Sequence, residues 1–249
     1  MIGLQSFCLR GFEDNATVAD KVKESGLSAI EICGRHADFS NPANFKKVIE
    51  VYNNRSVRIV SVGVNTLSGD QVHDRSVFEC ARLAGLRVMS VSFKIDSFEA
   101  ALRSAAALSE EYQIRIGIHN HGGRHWLGSS EALAWALAKG GPRVGLCIDT
   151  AWAMHSHEDP LAMAKEFRDR LFLVHIKDFV FDRSGKEEDV IVGTGNLALG
   201  RLDELLAEAG FDGPAILEYE GDVANPLPAL TECVARIKAE MPRLARGRV

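Results

Sequence analysis

The stretch IRIGIHNHGGRHWLGSSEALAWALAKGGPRVGLCID, residues 114–149, has the pattern of a strand, a helix and a second strand. An apolar run at 114–120 precedes a segment with helical spacing at 129–139, and a second apolar run follows at 143–149. Two strands joined through a helix pair in parallel, because the helix returns the chain to the starting end of the sheet. The stretch therefore predicts one β-α-β unit.

The same alternation runs along the whole chain and predicts eight strand–helix units. Strands are predicted at 2–7, 28–33, 57–64, 87–93, 114–120, 143–149, 171–177 and 215–220. Helices are predicted at 15–25, 42–54, 72–84, 97–112, 129–139, 159–168, 201–209 and 226–240. In a chain of 249 residues this favours an α/β protein with a single (β/α)8 TIM barrel domain over residues 1–249. The alternative is an open doubly wound sheet, but FCLRGFED at 7–14 lacks the G-x-G-x-x-G pattern of a dinucleotide site.

Composition and charge exclude several classes of protein. The formal net charge of −5 argues against a nucleic-acid-binding surface. The five cysteines are odd in number and form no C-x-x-C pair, which argues against a disulfide framework and favours packing roles. The chain shows no secretory signal and no apolar run near the roughly 18 residues of a membrane span. We expect a cytoplasmic protein, with a loose basic tail at 241–249.

Polar side chains gather at the predicted ends of the last four strands. In a (β/α)8 barrel the active site lies at the carboxyl ends of the strands. Each of these residues alone has an ordinary explanation, such as a structural histidine or a helix-capping aspartate. Jointly they predict a divalent-cation site, since buried charges must be paired or bound to metal. The residues are His119, His121, Asp149, His175, Lys177, Asp178, Glu218 and Glu220, with Glu31 on strand 2.

Two glycine-containing segments lie beside these strand ends. The glycines of HNHGG, residues 119–123, are expected to let the backbone turn tightly after strand 5. GTGN at 193–196 is similar to a phosphate-binding loop only in its glycines, and it predicts a turn.

The chain resembles the xylose isomerase-like TIM barrel family. That family includes sugar phosphate isomerases and epimerases, inosose and dehydroshikimate dehydratases, and the endonuclease IV branch (AP endonuclease family 2). The motifs that carry the resemblance are AIEI (29–32), HNHGG (119–123), GLCIDTAWAMHSHEDP (145–160), VHIKD (174–178) and VGTGNLALGRLDELLAEAGFDGPAILEYE (192–220).

The resemblance implies one bound divalent ion. Family members hold it with Glu, Asp, His and Glu on strands 5 to 8, and Asp149, His175 and Glu218 match the last three. His119 stands where the first glutamate is expected, so the chain departs from the pattern there. The implied ion is manganese, with cobalt, iron, zinc or magnesium as alternatives. As a ligand, His119 would favour later first-row metals, whereas off the metal it is a candidate general acid–base group.

The resemblance further implies an isomerase or epimerase of a sugar or keto-sugar, working by proton transfer through an enediolate-like intermediate. Glu218 is the first candidate base and His119 the second. Asp178 is predicted to support the metal ligands. Substrate contacts are predicted for Glu31, Arg35, His121, Trp152, Lys177 and Glu220.

Three other functions remain as alternatives. The first is a lyase or dehydratase acting on an inosose-like or 3-keto-glycoside substrate. The second, from another class, is a non-catalytic barrel that binds a sugar or a partner. The third is a DNA-repair endonuclease, whose multi-zinc site needs more histidines and carboxylates than these strands supply. Many relatives form dimers or tetramers, so a homo-oligomer is a further alternative for this protein.

Overall fold

Nine parallel strands pair in one sheet. The structure is a computed structural model, and it describes residues 1–246. The strands of this sheet are β1 (Ile2–Gln5), β2 (Ala29–Ile32), β3 (Arg58–Val62), β4 (Asn65–Leu67), β5 (Val88–Phe93), β6 (Arg115–His119), β7 (Val144–Asp149), β8 (Leu171–Ile176) and β11 (Ala215–Leu217). Their order in the sheet is β3-β2-β1-β11-β8-β7-β6-β5-β4. A separate antiparallel hairpin consists of β9 (Phe179–Phe181) and β10 (Glu187–Asp189).

The third strand of the barrel is split, and the split closes the sheet. β3 pairs with β2, whereas β4 pairs with β5, and only Gly63 and Val64 lie between them. The two ends of the sheet are therefore consecutive in the chain, and the predicted strand at 57–64 becomes two. A Cβ on Gly63 would lie 1.9 Å from Ser90 Oγ, so this close approach to β5 requires glycine.

Helices follow the strands as predicted. The eight that match predicted segments are α1 (Asn15–Glu24), α2 (Pro42–Asn54), α3 (Gln71–Leu83), α4 (Phe98–Tyr112), α5 (Ser130–Lys139), α7 (Pro160–Glu166), α8 (Leu199–Glu208) and α9 (Leu227–Glu240). Ser129 caps α5, and its side chain accepts the N–H of Ala132. Two further helices, α6 (Thr150–His155) and α10 (Pro242–Arg246), lie outside the predicted helical segments. The predicted (β/α)8 fold is confirmed.

The apolar core has two parts. The large part includes the sheet and the helices, with fully buried side chains such as Phe45, Tyr52 and Phe78. The small part consists of Val88, Cys147, Phe172 and Leu173. Cys147 and Leu173 precede Asp149 and His175 by two positions on their strands, so they share the interior face of the barrel. Cys147 and Leu173 form an apolar layer beneath the polar residues of the site. All five cysteines are buried and free.

Part of the segment predicted as a loose tail, 241–249, is described and forms a short helix. Pro242–Arg246 form α10, and the N–H groups of Arg243 and Leu244 donate to the Asp203 carboxylate at 3.1 and 2.8 Å. Met241 is fully buried. Residues 247–249 lie outside the described residues, and the single domain over 1–249 stays a prediction. Within the described residues, no helix combines the length and apolarity needed to cross a membrane.

Candidate metal centre

Four side chains from neighbouring strands converge inside the barrel, at the carboxyl ends of its strands. His119 and Asp149 end β6 and β7, His175 lies near the end of β8, and Glu218 directly follows β11. All four are buried, and one potential ligand atom of each lies within 4.8 Å of the others. The group could hold a metal ion, and it is the set that the sequence predicted.

The contacts within this group bring two nitrogens and two oxygens together. His119 Nε2 lies 3.2 Å from His175 Nδ1 and 3.6 Å from Asp149 Oδ2. His175 Nδ1 lies 2.8 Å from Glu218 Oε2. Two imidazoles with two carboxylates form a mixed donor set that suits a divalent first-row metal.

Asp149 provides a test of whether the residues fit a cation. Its Oδ1 accepts the N–H of Trp152 at 2.9 Å, and the side chain of Asn120 binds the backbone N–H and C=O of Asp149 at 2.7 and 3.0 Å. Its Oδ2 is buried and has no hydrogen-bond partner among the described residues. Burying an unpartnered carboxylate oxygen is unfavourable. A cation between Asp149 and His119 would provide the missing partner, so the residues fit a metal ion.

Burial alone would lower the pKa of His175, but Cys147 and Glu31 outweigh it and raise that pKa. The protonation states of the other three side chains suit a cation. Burial, with a contribution from His175, lowers the pKa of His119 to about 3, so its imidazole is neutral near pH 7. Burial raises the pKa of Asp149 to about 6. Burial alone would also raise the pKa of Glu218, but Lys177 and His175 outweigh it and hold that pKa well below its usual range. Near neutrality, His119 therefore offers a lone pair, and both carboxyl groups are ionised.

Lys177 is buried beside the four side chains and is surrounded by carboxylates. Its Nζ lies 3.5 Å from Glu218 Oε1 and 3.6 Å from Asp189 Oδ2, and it also contacts the Glu220 carboxylate. Burial would lower its pKa, but the surrounding carboxylates, Glu218 foremost, raise it above its usual range. Lys177 is thus a fixed positive charge. Its cation also lies 5.2 Å from the centre of the Trp152 ring.

Half-buried aromatic rings lie next to the group. The His121 ring centre lies 4.6 Å from that of His119, and burial lowers the pKa of His121 to about 3. Trp152 packs edge-on against Phe179 of the β9–β10 hairpin. A Cβ on Gly122 would lie 2.4 Å from Trp152 Cε3, so the glycine permits this packing. The predicted tight turn is at Gly123, whose φ is +66°.

Two predicted site residues have other contacts. The Asp178 carboxylate accepts the backbone N–H groups of Gly193, Gly195, Asn196 and Leu197 at 2.8–2.9 Å. It anchors this loop rather than the metal ligands, and GTGN is a turn, as predicted. Arg35 is exposed and pairs with Glu13 at 3.1 Å. In the described structure it makes no hydrogen bond or ion pair with the four converging side chains.

Glu31 was predicted to contact substrate, but it is fully buried behind His175. Its Oε1 lies 2.9 Å from His175 Nε2, on the opposite side of the ring from Glu218. Gln5 Nε2 and Ser90 Oγ donate to its carboxylate at 2.5 and 3.2 Å. These contacts place Glu31 in the barrel interior, where Gln5 and Ser90 bind its carboxylate.

Sequence reasoning missed two residues of the site. Asn120 holds the backbone of Asp149, and its signal was its place between the two histidines of HNH. Asp189 reaches Lys177 and accepts the N–H of Glu220 at 2.9 Å. It lies on the hairpin that follows β8, where no strand or helix was predicted.

The family follows from comparison with known proteins. The model of the xylose isomerase-like TIM barrel family matches residues 90–239. The chain belongs to this family. The matched region contains all four converging residues of the candidate metal centre.

The similarity to individual proteins is distant, with sequence identities of 14% to 25% for the three described here. The chain is 24% identical over 176 residues to a 3-oxo-isoapionate decarboxylase from Pectobacterium atrosepticum, covering 68% of this chain and 62% of that protein. It is 25% identical over 134 residues to an inosose dehydratase from Lacticaseibacillus casei, covering 48% and 45%. The matches thus span less than two thirds of either relative. The structure of a 3-keto-D-glucoside 4-epimerase from E. coli shares the fold, with a TM-score of 0.72, 14% identity and coverage of 96% and 98%.

Proposed function

We propose that this protein is a divalent-metal-dependent isomerase or epimerase of a keto-sugar or related polyol ketone. It would remove the proton next to the carbonyl group and form an enediolate-like intermediate. The observation that carries the proposal is the convergence of His119, Asp149, His175 and Glu218, with a buried oxygen of Asp149 left unpartnered.

Each residue has a defined task in this proposal. The four converging side chains would hold the ion, which when bound polarises the substrate carbonyl and the neighbouring hydroxyl. Glu218 would accept the proton, and Lys177 keeps Glu218 ionised from 3.5 Å away. His121, Trp152 and Glu220 would contact the hydroxyl groups of the substrate.

His119 is assigned as a ligand rather than as a base. Its Nε2 faces Asp149 and His175, where a bound cation would occupy its lone pair. Of the four converging side chains, Glu218 is then the candidate base. One base can return a proton to the adjacent carbon, which gives isomerisation. Epimerisation needs, in addition, an acid on the opposite face of the intermediate.

A lyase acting on the same class of substrate is the second candidate. In a dehydratase, proton removal is followed by loss of hydroxide, which an acid protonates as it leaves. In a decarboxylase, loss of carbon dioxide from a β-keto acid forms the enolate directly, and a proton donor then protonates it. The names of the two curated relatives, a decarboxylase and a dehydratase, favour this candidate. Mass and NMR analysis of the product separates the outcomes, because isomerisation conserves mass whereas a lyase releases water or carbon dioxide.

The deciding experiment combines metal analysis with Glu218→Gln. We expect about one divalent first-row ion per chain, and turnover of a keto-sugar that falls at least a hundredfold in the variant. Glu188→Gln, on the exposed part of the hairpin, is the control and should retain activity. Full turnover by Glu218→Gln would show that the mechanism is wrong. If the protein takes up no divalent ion, the better interpretation is a non-catalytic barrel. Activity that appears only in His119→Glu would support this interpretation further.

A further inference from the structure

A cavity of about 790 Å³ lies at the amino-terminal mouth of the barrel, at the opposite end from the candidate metal centre. Its walls include the first residues of β3 and β6, the turn before β11, and the carboxyl ends of α2 and α3. This volume is typical of small-molecule sites, which measure about 300–1,000 Å³. The proposed reaction does not use the cavity, because the four converging side chains lie at the carboxyl ends of the strands.

The barrel wall is open on one side of this cavity. β3 lies beside β5, but among residues 1–246 no ladder joins the two strands. β3 pairs with β2, and the pairing of β5 with β4 begins only at Val91. Ile59 and Val60 of β3 and Val88 of β5 line the cavity below this point. Strand edges without a ladder partner present main-chain N–H and C=O groups, which a bound molecule can contact.

Arginine stands at the start of five successive strands of the barrel wall, and three of these side chains are bound to other parts of the protein. Arg115 pairs with Asp212 at 3.3 Å, Arg143 Nε donates to Glu110 at 2.9 Å, and Arg170 donates to the Gly141 carbonyl at 2.8 Å. These three tie neighbouring segments together. The five arginines, on β3, β5, β6, β7 and β8 in turn, are Arg58, Arg87, Arg115, Arg143 and Arg170.

The other two, Arg58 and Arg87, are exposed, and within the described residues their side chains make no hydrogen bond or ion pair. Both line the cavity together with Arg115. The strands that carry Arg87 and Arg115 are direct neighbours, since the N–H of Arg115 donates to the Arg87 carbonyl at 2.9 Å. Asp212 is the one acidic residue among those that line the cavity. Three positive charges therefore meet one negative charge here, in a chain whose formal net charge is −5.

We propose that this mouth of the barrel is a binding site for a small organic molecule that carries a phosphate group. A guanidinium group binds phosphate through paired N–H donors, and a phosphate monoester has enough charge and oxygen acceptors for both Arg58 and Arg87. The half-buried apolar side chains of Ile49 and Leu83 also line the cavity and would contact the organic part of the ligand. The site is separate from the metal centre, so the proposal does not depend on the proposed function.

Phenyl phosphate is a suitable probe, because it joins one phosphate group to one apolar ring. We expect calorimetry to show binding at millimolar or lower concentration. The Kd should rise by about tenfold or more in the double variant Arg58→Ala with Arg87→Ala, because each arginine provides charge-assisted hydrogen bonds.

A matched control is the double variant Arg82→Ala with Arg201→Ala. It removes two exposed arginines that pair with glutamates of their own helices, outside the cavity. It changes the net charge equally and should bind phenyl phosphate within twofold of the wild type. No binding by the wild type, or an unchanged Kd in the Arg58→Ala, Arg87→Ala protein, overturns the proposal.

A second measurement locates the ligand in the wild-type protein. The side-chain Nε–H signals of Arg58 and Arg87 can be followed by 15N NMR and assigned from the single variants Arg58→Ala and Arg87→Ala. We expect both signals to shift with phenyl phosphate and to stay in place with phenol, which lacks the phosphate group. If phenyl phosphate binds and neither signal moves, the ligand lies elsewhere, such as at the metal centre, and the proposal is wrong.

Discussion

His119 Nε2 and His175 Nδ1 lie 3.2 Å apart, so two imidazole rings from different strands point to one place in the barrel. The strand-5 position that carries glutamate in the family pattern contributes a nitrogen here. An added nitrogen changes the metal preference of a site, because imidazole ligands suit the later first-row metals better than carboxylates do.

His119→Glu should therefore move the metal preference toward manganese. We expect the ratio of zinc to manganese affinity to fall by roughly tenfold or more, because a carboxylate replaces an imidazole. Competition titrations with both ions measure this ratio. His125→Glu adds a carboxylate nearby, at a half-buried position outside the four, and should leave the ratio unchanged. An unaltered ratio in His119→Glu would mean that His119 is not a ligand.

Asp149→Asn should stabilise the metal-free protein in a pH-dependent way. Burial raises the pKa of Asp149 from its ordinary value of 3.8 to about 6. A raised carboxyl pKa contributes stability that is fully present below the unfolded pKa and is lost as the pH rises through the folded one. The asparagine of the variant cannot ionise, so the variant does not lose this stability as the pH rises. We expect its free energy of unfolding to match that of the wild type near pH 4 and to exceed it by on the order of 2 kcal/mol at pH 7.5.

Urea denaturation of metal-free protein at both pH values measures this difference. The same variant should lose most of its metal affinity, because it loses an ionised ligand. Asp203→Asn serves as the control and should be less stable than the wild type, since its carboxylate accepts two backbone N–H groups. A metal-free Asp149→Asn protein less stable than the wild type at pH 7.5 would contradict the idea of an unpartnered buried charge.

Gly122→Ala should displace the Trp152 ring. The added Cβ would lie 2.4 Å from Trp152 Cε3 and 2.5 Å from His155 Nδ1, so the rings must move. We expect a loss of about 1–3 kcal/mol in stability, as for other overpacked sites, together with a change in tryptophan fluorescence. Gly34→Ala meets no atom within 4 Å and is the control. Equal melting temperatures and spectra for the two variants would rule out the tight packing at Gly122.

Asp178→Asn should loosen the 193–197 loop without altering metal binding. The carboxylate accepts four backbone N–H groups, and an amide offers one oxygen and a competing donor. We expect a stability loss of about 3 kcal/mol and a metal affinity within twofold of the wild type. Asp182→Asn, in the exposed hairpin turn, is the matched control. A large drop in metal affinity for Asp178→Asn would restore the predicted support role.

The alternation of apolar and helical segments was enough to predict the barrel, because each unit buries its strand and one face of its helix. It could not show the split after Val62, since Gly63 and Val64 do not interrupt the apolar pattern. The hairpin of β9 and β10 was also missed. Its strands have three residues each and are packed by contacts distant in sequence, such as Phe179 against Trp152.

Within the site, period-two alternation identified the converging group but not the depth of each residue. Glu31 shares the interior face with the ligands, and only the structure shows that it lies behind His175. The position of Asp178 away from the metal ligands could be predicted in part, because it follows Lys177 directly and so falls on the opposite face of the strand. The carboxylates that surround Lys177 come from two separate segments, the β9–β10 hairpin and the stretch after β11, which no local pattern links.

The loop at 193–197 has a consequence for what the barrel can recognise. Other TIM barrels often bind a phosphate group with the backbone N–H groups of loops after strands 7 and 8. Here those donors are already taken by Asp178, so the protein carries its own internal anion in that corner. A phosphorylated sugar would meet a negative charge and occupied donors there. Under the proposed function, a phosphate group on the substrate would have to be held by other parts of the rim.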